Sequence, residues 1–102
     1  MNYIIKRLPI SHKAKFMGTD FCEKHGYMPR QDEYVIVYIG QIYNVYGDDT
    51  LNHIYHKLNV DHPADYHLPS LSVSDVIGLE VGVRQWEWWY VDSFGFKRIW
   101  EG

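Results

Sequence analysis

The run Trp86-Glu87-Trp88-Trp89-Tyr90 constrains this chain more than any other feature, because it sets large aromatic rings on both sides of one extended segment. Alternation along a strand sends Trp86, Trp88 and Tyr90 to one face and Trp89 and Val91 to the other. One of these faces must be core. The other is either covered, with every Trp half buried, or exposed as an aromatic patch of the kind used in protein contacts. Base stacking on single-stranded nucleic acid also wants a positive groove, and the neighbours here are Glu80, Glu87 and Asp92.

The rest of the sequence favours strands too. Nine Val and nine Ile stand against two Ala, and 17 of the 102 residues are aromatic. The length suits a single domain spanning residues 1–102. Tyr3 to Lys6 reads as a short strand ended by Pro9, a residue that prefers an edge or a strand end because it has no N–H to donate. Asp20 and Glu23 resemble a capping box, and Gly26 suits a helix end, so residues 20–25 read as a short helix. Glu33 to Ile39 is apolar on both sides, as expected of a central strand, and Gln41 to Tyr46 continues its hairpin. Asp49 or Thr50 caps a helix with Leu51, Ile54, Tyr55 and Leu58 on one stripe. Val60 to Leu71 reads as a long loop and a candidate working surface. Asp75 to Val81, Gln85 to Asp92 and Phe96 to Trp100 complete the strands. The expected class is α+β: a mainly antiparallel sheet of about five strands with one longer and one short helix packed on it.

Charge is uneven along the chain. Residues 1–30 carry six basic and two acidic side chains, +4, whereas residues 31–102 carry four basic and eleven acidic ones, −7. The net −3 excludes a generic nucleic-acid binder and a uniformly acidic surface, yet leaves room for a polarised molecule. A nucleic-acid reading would have to use Lys6, Arg7, Lys13 and Lys15. One cysteine supports neither a disulfide framework nor a zinc knuckle, and the order of apolar and basic residues at the start is the reverse of a secretory signal, so a cytoplasmic setting is expected.

Catalytic groupings are thin. His53, His56, His62 and His67 lie close to Asp61 and Asp65, which raises a small metal-dependent hydrolase using His53, His56 and His62, but the spacing matches no zinc signature. Cys22 with His25, and Ser93 after Asp92, lack the base, orienting group and oxyanion site of a nucleophilic centre. No catalytic residue, metal site or cofactor is therefore assigned. Ser70-Leu71-Ser72-Val73-Ser74-Asp75 reads as a structural turn that fixes the start of the next strand.

Three blocks carry a family resemblance: Leu58-Asn59-Val60-Asp61-His62-Pro63-Ala64-Asp65-Tyr66, Ser70-Leu71-Ser72-Val73-Ser74-Asp75-Val76-Ile77, and Tyr90-Val91-Asp92-Ser93-Phe94-Gly95-Phe96. In order and spacing they resemble the YodL-like domain family of Gram-positive bacteria and their mobile elements. The resemblance implies no enzymatic activity. It implies a setting on plasmids and conjugative elements near antirestriction and anti-CRISPR functions. The expectation is a non-catalytic counter-defence protein that binds and inhibits a host nuclease, with a CRISPR effector as the leading candidate. Asp48, Asp49, Asp61, Asp65 and Asp92 would occupy a basic surface, anchored by Trp86, Trp88 and Tyr90. The alternative is a binding module for another host or conjugation protein. Neither involves a membrane or direct contact with nucleic acid.

Overall fold

A computed structural model describes residues 1–43, 49–60 and 70–100. The elements run β1 (Asn2–Arg7), α1 (Thr19–His25), a 3-10 turn (Gln31–Glu33), β2 (Val35–Gln41), α2 (Asp49–Asn59), β3 (Val76–Gly82), β4 (Gln85–Val91) and β5 (Phe96–Ile99). The five strands form one sheet in the order β2-β1-β3-β4-β5, and every neighbouring pair is antiparallel. The α+β class is as expected.

Each face of the sheet has its own core. Leu51, Ile54 and Leu58 of α2 pack with Tyr3, Ile5, Ile77, Leu79 and Val91 on one side. Burial of each aliphatic side chain contributes about 1.5–3 kcal/mol, which is what holds an 11-residue helix onto the sheet. On the other side Leu8, Ala14, Cys22 and Tyr34 pack with Val76, Tyr90 and Ile99. The segment from Leu8 to Tyr34 is short on helix, and it covers only part of that face.

One strand position differs from the sequence reading, that of β2. β1 is central, between β2 and β3, because Pro9 falls beyond its end and blocks no ladder bond. β2 is an edge strand with Val35, Ile36 and Ile39 exposed. Apolar residues on both faces of a strand are equally compatible with an uncovered apolar edge, so composition alone misplaced it. Of the expected continuation to Tyr46, Gln41 lies in β2, the Ile42 N–H donates to the Met1 carbonyl at 2.9 Å, and residues 44–48 lie outside the described ones.

The short helix begins one residue earlier than expected, at Thr19, and the Asp20–Glu23 capping box does not form. Its cap comes from far along the chain. Asp92 Oδ1 accepts the Thr19 N–H at 3.0 Å, and Asp92 Oδ2 accepts the Thr19 hydroxyl. Gly26 closes the helix at φ 72°, as the sequence indicated.

The Ser70–Asp75 turn is the structural device expected of it. Asp75, fully buried, accepts the Ser72 N–H at 2.9 Å and receives Arg7 through Nε at 3.2 Å and Nη2 at 3.0 Å. Lys15 Nζ stands 3.9 Å away. Asn59 joins the end of α2 to the same turn, its Oδ1 accepting the Leu71 N–H at 2.6 Å.

Candidate binding face on the open sheet

β4 distributes its side chains as alternation requires. Trp89 and Val91 join the α2 core, while Trp86, Trp88 and Tyr90 turn to the opposite face. There they part company. Tyr90 lies beneath the Leu8–Tyr34 segment with no exposure, its hydroxyl donating to the Met17 carbonyl at 2.6 Å with Cys22 Sγ 3.7 Å away. Burial raises the Tyr90 phenol well above its ordinary value, and Tyr34 beside it is raised for the same reason. A buried ring cannot touch a partner, so Tyr90 is removed from the expected contact set.

Trp86 and Trp88 are half-buried at the margin of that cover, with Trp88 packed against the second core. Their rings stack at 5.7 Å between centroids and 19° between planes. Trp88 lies flat over Gly78 of the neighbouring strand, where an added Cβ would come within 2.4 Å of the indole. A glycine inside a strand marks such a close approach, and Gly78 is the one sequence signal that could have located the ring. Lys6 places its Nζ 4.3 Å from the Trp88 ring centroid and 5.7 Å from that of Trp100. Partial desolvation lowers the Lys6 ammonium from its ordinary pKa. Trp100 closes this end of the array by donating Nε1–H to the Pro29 carbonyl at 3.3 Å and meeting Tyr34 edge-on at 5.2 Å.

The face continues across the sheet. Cross-strand pairing puts Ile4 beside Ile39 and Lys6 beside Ile36, both isoleucines more than half exposed. At the other end Glu80 pairs across from Trp86 and accepts a hydrogen bond from Asn2 Nδ2 at 3.2 Å. The result is an aromatic and aliphatic surface with Lys6 set between Trp88 and Ile36, and Glu80 at one end. Such a surface binds by burial and stacking.

Of the five expected acidic contacts, Asp49 and Asp92 lie among the described residues. Asp49 is exposed at the start of α2. Asp48, Asp61 and Asp65 lie outside the described residues, as does most of the Val60–Leu71 loop. Asp92 is committed to α1 and also accepts the Ser93 N–H at 2.7 Å. Partial burial pushes its carboxyl upward, but the Thr19 hydroxyl, the Thr19 and Ser93 amides and the Lys97 ammonium outweigh this and hold it below the usual carboxylate range.

Cys22 is buried in the second core, as a small apolar residue would be. His53 and His56 are exposed on α2, whereas His62 and His67 lie outside the described residues. Among the described residues, no three His, Cys, Asp or Glu side chains are grouped to hold a metal ion, and no helix is long and apolar enough to cross a membrane.

No curated protein and no solved structure matches the chain. A family model does, over residues 3–101, a span that takes in both the Ser70–Asp75 turn and the tryptophan strand; the chain therefore belongs to the YodL-like domain family.

Proposed function

We propose that this YodL-like domain is a non-catalytic protein-binding module that contacts its partner through the open sheet face around Trp86 and Trp88. The observation that carries the proposal is the stacked, half-buried indole pair beside Gly78 and Lys6. Tryptophan is enriched among residues that dominate binding energy, and a rigid pair loses little conformational entropy on contact. The proposed partner is a host nucleic-acid-processing nuclease in the bacterial cytoplasm, with an RNA-guided CRISPR effector as the first to test, so that the domain acts as a counter-defence inhibitor.

This reading moves the weight of the contact from carboxylates to aromatics. Asp92 is occupied in the fold, which leaves Asp49 as the described member of the acidic set free to steer a basic partner. The test is DNA cleavage by a purified RNA-guided nuclease with the domain titrated in, at low and raised salt. Inhibition that persists as salt rises supports an aromatic contact. Absence of binding and inhibition at low salt refutes the assignment to that nuclease class.

A further inference from the structure

The two edges of the sheet are built differently. β5 has four residues and carries Lys97 and Arg98, which form ion pairs with Glu23 at 2.8 Å and Glu87 at 3.5 Å. β2 has seven residues, Val-Ile-Val-Tyr-Ile-Gly-Gln, with no charge among them. Val35 is 61%, Ile36 51% and Ile39 63% exposed. Short length and charged side chains are the usual means of keeping an edge from pairing, and β2 has neither. Among the described residues, β2 pairs only with β1, so alternate backbone N–H and C=O groups face away from the sheet.

β2 also carries a bulge. Ile36 pairs with Lys6 and Tyr38 with Ile5, leaving Val37 as the extra residue. Bulges often spoil an edge, but this one has a particular effect on side-chain direction. In an unbroken strand, residues three apart point to opposite faces. Here Val37 and Tyr38 both pack on the α2 side, and Ile36 and Ile39 both lie on the open side. A two-fold axis between Val37 and Tyr38 therefore sets Ile36 opposite Ile39 of a second copy, Val37 opposite Tyr38, and Val35 opposite Gly40. Every such pair shares a face, and no charged groups meet. A foreign strand would need to bring its own matching pattern, whereas a second copy already has it.

We propose that two copies of this chain pair antiparallel through β2, joining their five-stranded sheets into one and merging their open faces. The interface is isologous, with four isoleucines, Ile36 and Ile39 from each copy, closing the seam on the open side. One strand per copy lies at the small end of stable interfaces, which places the dissociation constant in the micromolar range or above.

The test is sedimentation equilibrium of the full chain from low micromolar to millimolar concentration. The mass is expected to rise from 12.2 kDa toward twice that value and no further. Ile39→Lys and Ile36→Glu, each at an exposed position, should weaken association at least about tenfold, because the introduced charge is buried opposite isoleucine. Combining the two sets opposite charges across the seam and should recover most of the loss, while Val83→Lys on the distant β3–β4 turn should change nothing. Far-ultraviolet circular dichroism checks that each variant is folded. A mass that stays monomeric throughout, growth beyond two copies, or a dimer indifferent to Ile39→Lys would each overturn the proposal.

Discussion

Replacing Asp75 by Asn removes a charge on which three parts of the chain converge. The carboxylate has no exposure, holds Arg7 of β1 through two hydrogen bonds, and stands 3.9 Å from Lys15 in the preceding loop. Breaking a buried pair by removing one partner costs about 3–5 kcal/mol. The lower end applies here, because Asn can still accept the Ser72 N–H and the Arg7 side chain retains 15% exposure. A loss of about 3 kcal/mol lowers the melting temperature of a domain this size by roughly 12–24 °C. Urea unfolding followed by tryptophan fluorescence measures it directly, with the midpoint falling at unchanged slope. Lys15→Met should cost far less, since its nitrogen lies beyond hydrogen-bond distance. A loss below about 1 kcal/mol for Asp75→Asn would refute the view that this carboxylate ties β1 to the start of β3.

Other consequences are equally accessible. Gly78→Ala drives a Cβ into Trp88 and should cost about 1–3 kcal/mol while altering the near-ultraviolet dichroism of the stacked indoles; an unchanged spectrum would contradict the flat placement of that ring. Tyr90→Phe leaves the Met17 carbonyl with only the long, weak Cys22 thiol contact at 4.0 Å and should destabilise by about 1–3 kcal/mol in chemical denaturation. Asp92 has a depressed carboxyl pKa in the fold, so its stabilisation is fully present above the unfolded value of about 3.9 and fades as pH falls toward the folded one. In acid titrations Asp92→Asn should be less stable than the wild type at neutral pH and should show a shallower loss below about pH 4; parallel acid limbs would show that the cap does not depend on charge.

Local patterns carried most of the fold. The stripe Leu51, Ile54, Leu58 and the glycine at position 26 produced the two helices, and the alternation in Val76–Gly82 and Gln85–Val91 produced the final hairpin. What the local pattern lacks is information about neighbours. β2 lies at an edge and not at the expected centre because strand order depends on which edges pair, a property of the whole sheet. Asp20 looked like a cap, but the fold supplied Asp92 from 73 residues away. The candidate face was half legible. Alternation placed Trp86, Trp88 and Tyr90 on one side, but only the extent of the Leu8–Tyr34 cover decides that Tyr90 is fully buried and the two tryptophans half-buried.

The most direct test of the central claim is calorimetric titration of a bound nuclease with Trp86→Ala, Trp88→Ala and Asp92→Asn variants, each first shown to be folded. An open-face contact predicts that each tryptophan variant loses at least about 30-fold in affinity, the scale of a binding hot spot near 2 kcal/mol. It predicts that Asp92→Asn, once folded, binds as the wild type does. Full affinity in both tryptophan variants, with binding abolished by raised salt, would contradict the account and return the contact to the acidic side chains.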